Sequence, residues 1–348
     1  MLTKMIETLK KNPRTIVYTE GTDNRILEST SRLLADGILG VVLLGKEDEV
    51  KAAAKAGGYN IEGAKIIDPA TYGNMDAMVE EMVKLRKGKM TEDKVRAALS
   101  KTNYFGTMLV KMGEADCLLG GATYSTADTV RPALQLIKTK PGNNIVSSSF
   151  VMVRGDERYL FGDCAINIDP SEDDLVEIAI ESAKTAKVFG VEPRIAMLSY
   201  STLGSGKGPT VTKVANATKK IREVAPDLKV EGEIQLDAAV APEVASIKAP
   251  NSEVAGKANV FIFPDINAAN IGYKICARFG GFEAVGPVLQ GLNAPINDLS
   301  RGCNADEVYK MSIVTAALSV PEEEEVNPEE LEVIVRTVVA TMLARAGK

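Results

Sequence analysis

The feature that most narrows the fold is an alternation running from residue 15 to residue 138. Thr15–Glu20 (TIVYTE), Val41–Gly45 (VVLLG), Ala64–Asp68 (AKIID) and Cys117–Gly120 (CLLG) are short apolar runs of strand type. Helical patterns fill the intervals: Asp23–Ala35, Lys51–Ala56, much of Asn74–Glu114, and Ser125–Lys138 after the last strand. Parallel neighbours need a crossover that a helix supplies, and strands apolar on both faces need helices on both faces. The order therefore predicts an α/β fold built on a doubly wound, mostly parallel sheet.

The middle of the chain changes character. Asn144–Arg154 and Arg158–Ile168 are long and β-rich, separated by the turn residues RGDE, and predict an antiparallel hairpin. Ser171–Phe189 reads as a helix with a serine cap and an acidic first turn. Three βα units follow: RIAMLSY into Pro209–Val224, NVFIFPD into Ala268–Phe279, and AVGPVLQG into Ala305–Leu318. At 348 residues the chain is long for a single core. The expected boundary lies at Pro141–Asn144, with a return crossing at Asn293–Pro295. Residues 1–143 plus 295–348 then form a first α/β domain, and 144–294 a second.

Composition removes several function classes. The apolar runs, such as Val260–Pro264, fall well short of the ~18 residues of a membrane span, and no signal-type apolar region follows Met1. A cytoplasmic protein without membrane attachment is expected. The cysteines, Cys117, Cys164, Cys276 and Cys303, are far apart, so free thiols are expected and a metal site is not. A net charge of -6 argues against a nucleic-acid partner, and an anionic ligand would need local arginines. With no histidine, a Ser-His-Asp or Cys-His nucleophile is excluded, leaving a carboxylate, lysine, tyrosine or water as base.

Ligands of open α/β sheets sit beyond the carboxyl ends of the strands. Three polar loops stand there: Ser199–Gly208 (SYSTLGSGKG), Asp265–Asn270 (DINAAN) and Asn297–Cys303 (NDLSRGC). Each is open to two readings, plain turn chemistry or ligand contact. STLGSGKG fails the P-loop pattern, because Ser201 stands at the first glycine and Gly208 follows the lysine; an anion cradle of backbone amides stays open. Arg131, in STADTVRPALQ, is expected near a helix start, where free amides favour an anion.

Longer segments carry a resemblance. FPDINAANIGYKICARFGG and EAVGPVLQGLNAPINDLSRGC, with LSYSTLGSGKG, VEGEIQLDAAVAPEVA and GGATYSTADTVRPALQLIKT, resemble the phosphate acetyltransferases (phosphotransacetylases) of the phosphate acetyl/butyryltransferase family, collinearly over about residues 1–320. The resemblance implies reversible acetyl transfer between CoA and inorganic phosphate, giving acetyl phosphate. It also implies two three-layer α/β/α domains with the site in the cleft between them, in a homodimer. CoA is a substrate in that scheme, and no tightly bound cofactor, metal or covalent acyl-enzyme is implied. A butyryltransferase-like enzyme with a larger acyl pocket, or a non-catalytic CoA-sensing module, are the alternatives.

By the same resemblance Arg301 would hold the acyl phosphate and stabilise the oxyanion, a contribution of about 3–4 kcal/mol. Ser300 would hydrogen-bond the thiol or the reacting oxygen. Arg86 and Arg131 match phosphate-holding arginines, whose planar forks suit phosphate oxygens. Thr126, Asn270 and Lys274 are the further substrate contacts implied. The family's base, commonly aspartate, falls on Glu307, with Asp306 beside it as the rival. Moving a proton from a thiol of pKa ~8.5 to an ordinary carboxylate near ~4.3 is uphill unless burial raises the latter. Tyr124 and Gly208 depart from the pattern, standing where relatives often carry histidine.

Past about Val320 the resemblance ends. PEEEEV reads as a linker, and Asn327-Pro328-Glu329-Glu330 as a helix start. Leu331, Ile334, Val335, Val338, Val339 and Met342 then form an apolar stripe that needs a surface to dock on. Packing on its own domain or dimer mate is one reading. A peptide addressing the enzyme to a bacterial microcompartment through 327–346 is the other.

Overall fold

The computed structural model describes residues 2–321, so the stripe from Leu331 onward lies outside the described residues. The strands are β1 (Thr15–Tyr18), β2 (Gly40–Leu44), β3 (Lys65–Ile67), β4 (Cys117–Gly120), β5 (Ser147–Arg154), β6 (Glu157–Gly162), β7 (Arg194–Leu198), β8 (Lys229–Ile234), β9 (Val260–Ile262), β10 (Glu283–Gln290) and β11 (Ile296–Asp298). They form a 5-stranded sheet ordered β11-β4-β1-β2-β3 and a 6-stranded sheet ordered β10-β5-β6-β9-β7-β8. The first is parallel throughout; the second is parallel except for its β10–β5–β6 side.

Side-chain alternation explains why helices cover both faces of the first sheet. Ile16, Tyr18, Leu43 and Leu119 point into one core with Leu27, Leu33 and Val314. Their neighbours Val17, Val42, Leu44 and Leu118 point into the opposite core with Met78, Met82 and Phe105. Both faces are apolar, so the strands read as continuous hydrophobic runs. Helices Leu2–Lys11, Asn24–Ala35 and Ala305–Ala317 pack together on the first face, where Tyr18 Oη and Ser312 Oγ meet at 2.5 Å. The α/β class expected from the sequence is the one observed.

The two sheets are joined by two adjacent passages of chain. Lys140 N donates to Gly291 O at 2.9 Å and Asn293 N to Lys138 O at 3.0 Å, with Thr139 bridged to Leu292. After the second passage the chain enters β11, whose register sets Ile296 beside Leu118 and Asp298 beside Gly120. Because β11, β4 and β1 are parallel neighbours, the loops beginning at Leu299, Gly121 and Thr19 emerge side by side at their carboxyl ends.

Several expectations need correction. AVGPVLQG is not the strand of a βα unit: β10 runs antiparallel to β5 at the edge of the second sheet, and β11 feeds helix Ala305–Ala317. Strand type was legible in that apolar run, but direction depends on a partner far away in sequence. Helix Ser125–Lys138 is instead a short helix, Thr126–Pro132, continued by a π-helical turn at Ala133–Ile137. Pro132 has no N–H to donate, which interrupts the regular pattern. Arg131 therefore sits in the last turn of that helix, away from its N-terminal amides. The region Asn74–Glu114 divides into Met75–Arg86, Glu92–Leu99 and Thr102–Lys111.

Candidate active site

A cavity of about 770 Å³ opens at the carboxyl ends of β4 and β11, with its far wall from the second sheet. Asp298, the last residue of β11, lies beneath it and is 3% exposed. Its carboxylate accepts Thr126 Oγ1 at 2.6 Å and Thr129 Oγ1 at 2.5 Å, tying the short helix to the sheet. Burial raises the Asp298 pKa, and the two hydroxyl donors pull it only part of the way back. Gly121, at φ +95°, has to be glycine here: a Cβ would collide with Asp298 Oδ1.

The reactive-loop candidates follow directly. Leu299 N donates to Gly120 O at 2.7 Å, extending the β11–β4 pairing by one bond before the chain turns. Ser300 Oγ accepts Gly302 N at 3.2 Å, which leaves its own O–H available, and Cys303 N closes the turn on Ser300 O at 2.9 Å. Arg301 is exposed and lines the cavity. Helix Ala305–Ala317 then starts with a capping box: Glu307 N donates to Asn304 Oδ1 at 2.9 Å, and Asn304 N to Glu307 Oε2 at 3.0 Å. That box fixes the Glu307 carboxylate at the cavity edge.

Asp306 has different partners. It pairs with Arg32 at 3.1 Å and Lys310 at 2.9 Å, the Lys310 bond holds its pKa below the usual range, and it does not line the cavity. Of the two acids, Glu307 lines the cavity and Asp306 does not. Lys310 also reaches Glu283 Oε1 at 2.8 Å, linking helix Ala305–Ala317 to the edge strand of the second sheet.

Thr126 joins Ser300, Arg301 and Glu307 in the cavity wall; Arg86, Arg131, Asn270 and Lys274 do not line it. Arg131 borders a shallower hollow of about 330 Å³ that shares Ala127 with the main cavity, and its guanidinium lies 3.8 Å from Asp128. Arg86 ends helix Met75–Arg86, with its Nε buried and, among the described residues, without a hydrogen-bond partner. Asn270 donates to Cys164 O at 3.1 Å and receives Lys274 Nζ at 2.7 Å, so both support helix Ile266–Gly280 and the loop after β6.

Sequence reading missed the opposite wall. Tyr273 stacks on Phe150 with ring centroids 4.2 Å apart and 13° between planes, and both line the cavity with Val285 and Pro287. No local signal marks the pair, since one ring comes from the hairpin and the other from a helix over a hundred residues later in the chain. Asp298 was in plain view within NDLSRGC and could have been suspected from its adjacency to Ser300. Glu20 is a further buried carboxylate, its pKa raised by burial; it accepts Thr19 Oγ1 at 2.7 Å and the amides of Gly121 and Thr123 at 3.1 Å. Tyr124 Oη is 2.7 Å from the Thr19 hydroxyl, which fixes its ring in the cavity wall.

The loop STLGSGKG is not an open anion cradle. Gly204 N and Ser201 Oγ donate to Glu233 Oε1 at 2.7 and 2.8 Å, Gly206 N donates to Ser201 Oγ at 2.8 Å, and Thr202 N to Ser205 Oγ at 2.9 Å. The buried Glu233 already occupies the position an incoming anion would take.

An exposed guanidinium, hydroxyls at Ser300 and Thr126, a carboxylate at Glu307 and a facing aromatic wall make a site for an anionic substrate with an apolar portion. Comparison with known proteins agrees with that class. The family described as "Phosphate acetyl/butaryl transferase" matches residues 1–316. The phosphate acetyltransferase of Bacillus subtilis (strain 168) is 57% identical over 302 residues, covering 87% of this chain and 94% of the relative. Among solved structures, "EutD phosphotransacetylase from Staphylococcus aureus" superposes with a TM-score of 0.88 at 48% identity, over 92% of this chain and 98% of that one. A phosphotransacetylase from Streptococcus pyogenes gives 0.89 at 50% identity, over 91% and 97%. The chain belongs to the phosphate acetyl/butyryl transferase family.

Proposed function

We propose that this chain is a transferase that moves an acetyl group reversibly between acetyl-CoA and inorganic phosphate, giving acetyl phosphate and CoA. The observation that carries the reading is the convergence of Ser300, Arg301 and Glu307 on one cavity, in a chain 57% identical to a phosphate acetyltransferase. In the direction of acetyl-CoA synthesis, the CoA thiol gives its proton to Glu307 and the thiolate attacks the acetyl carbonyl. A C–S bond forms, charge collects on the carbonyl oxygen beside Arg301, and the C–O bond to phosphate then breaks with its electron pair leaving on phosphate. Ser300 directs a hydrogen bond at the thiol or the reacting oxygen. The guanidinium acts by charge and geometry, a contribution on the order of 3 kcal/mol for such donors. Thr126 contacts the substrate from the neighbouring loop after β4, and Arg86 and Arg131, which stand outside the cavity, are proposed to hold phosphate, with Asn270 and Lys274 as further substrate contacts beyond its rim.

The same reading takes residues 1–143 with 295–348 as one domain and 144–294 as the other, the cleft between them being the site. A homodimer is supported by the stripe Ile271, Ile275 and Phe279, spaced four apart on helix Ile266–Gly280 and 58%, 51% and 89% exposed. Among the described residues no helix is long and apolar enough to cross a membrane, and the proposed setting is cytoplasmic. The 327–346 stripe is proposed as the contact to a microcompartment shell or cargo; deleting residues 321–348 should leave turnover intact while abolishing that association.

Thiol release from acetyl-CoA and butyryl-CoA, each with and without phosphate, tests the function. Phosphate-dependent release favouring acetyl-CoA is expected. Release that ignores phosphate, or none from either substrate, would refute it.

A further inference from the structure

We propose that Arg25 is a positioning residue that fixes the backbone of the Ser300–Cys303 loop, and through it the cation of Arg301. The proposal rests on the reading of Ser300 and Arg301 given above. Arg25 stands at the start of helix Asn24–Ala35, far from that loop in sequence. Its guanidinium nonetheless joins the segments following β1, β4 and β11. Nε and Nη2 grip the two carboxylate oxygens of Asp23 at 3.0 and 2.8 Å. Nη2 also donates to Ala122 O at 2.9 Å, and Nη1 to Arg301 O at 2.9 Å and Cys303 O at 3.2 Å.

A guanidinium has five N–H groups in one plane, and these contacts account for all of them. None is left for substrate, and Arg25 does not line the cavity, so it acts through the loop rather than on the reacting atoms. The orientation of Arg301 has few other restraints, because its side chain is exposed and, among the described residues, it is held through its backbone. A charged donor on the Arg301 carbonyl therefore sets where that cation stands. Asp23 has two functions here, since Oδ1 also caps the helix by accepting Arg25 N at 2.9 Å, which aligns the clamp with the helix start. Lysine keeps the charge but presents one nitrogen, and it cannot span the same acceptors.

The test uses full-length Arg25→Lys, Arg25→Gln and Arg25→Ala. Turnover, the KM values for acetyl-CoA and phosphate, the thermal midpoint and the alkylation rate of Cys303 by iodoacetamide (resolved by peptide mass) are measured together. Misplacing a catalytic group by about an ångström costs up to about 100-fold, so kcat is expected to fall 10- to 100-fold, roughly, with both KM values within about threefold of wild type. Added methylguanidine restores part of the turnover of Arg25→Ala by returning the missing fork. Cys303 is buried, with its sulfur 3.6 Å from Arg25 Nη1, and its alkylation accelerates several-fold in Arg25→Gln and Arg25→Lys at temperatures where both remain folded. An unchanged kcat, a loss confined to KM, or unaltered Cys303 labelling would overturn the proposal. If the wild-type protein itself releases no thiol, the functional reading fails, while Cys303 labelling still decides the clamp.

Discussion

The loops that follow β7 and β11 both leave the carboxyl end of a strand, and each has serine, glycine and one basic side chain, Lys207 or Arg301. By sequence, the loop after β7 is the richer in glycine and the more suggestive of anion binding. In the fold Gly204 N and Ser201 Oγ bond the buried carboxylate of Glu233, and Gly206 N and Thr202 N bond the loop's own serine hydroxyls. The other loop keeps its acid, Asp298, below the chain, bonded to Thr126 and Thr129, so that Ser300 and Arg301 remain available at the cavity. Glycine content does not make a ligand loop; what matters is whether an internal carboxylate has already taken the donors.

Glu307→Gln is expected to give a large effect, second only to loss of Arg301. Removing the proposed general base should lower kcat on the order of 100-fold while leaving the melting profile near wild type, because glutamine can still close the capping box. A kcat within a few-fold of wild type would remove Glu307 from the mechanism. Ser300→Ala should cost about tenfold, the size of one hydrogen bond of roughly 1.4 kcal/mol in the transition state. If it abolished turnover and an acetylated Ser300 could be isolated from the wild type, the direct-transfer scheme would be wrong.

On the other side of the comparison, Glu233→Ala should change stability and spare turnover. It strands Gly204 N and Ser201 Oγ, a loss of about 2–3 kcal/mol readable as a lower denaturant midpoint, with kcat within about twofold. A collapse of turnover without loss of stability would move the loop after β7 into the site. The smallest effect belongs to Asp306→Asn, which should leave turnover unaltered. Lys310 holds the Asp306 pKa below its unfolded value, so the ion pair contributes above the unfolded pKa and is lost as pH falls through the folded one. The wild type should therefore exceed the variant by at most about 0.5 kcal/mol at neutral pH, given solvent screening of this half-exposed group, and the gap should close in acid. A gap that widened on acidification would reverse the assignment.

Much of the first sheet was legible because β1, β2 and β4 are buried on both faces, and continuous apolar runs survive any change in their neighbours. The hairpin of β5 and β6 was legible from its turn residues. Strand direction was not: β10 reads like a buried parallel strand, and only its partner β5 makes it antiparallel. Lys229–Ile234 carries glutamates and a glycine and gave no strand signal, although it pairs with β7. Within the site, Ser300, Arg301 and Glu307 could be named because the resemblance to the phosphate acetyltransferases runs through the one short segment that carries all three. Arg25, Glu20 and the Phe150–Tyr273 stack act across elements brought together only by the fold.

In the proposed mechanism the loop after β11 supplies the charge that drives acetyl transfer and the loop after β7 does not. Phosphate-dependent thiol release measured side by side for Arg301→Ala and Lys207→Ala tests it most directly. A kcat loss of roughly 100- to 1000-fold is expected for Arg301→Ala and a change within about twofold for Lys207→Ala. Comparable losses in both variants, or the larger loss in Lys207→Ala, would contradict it.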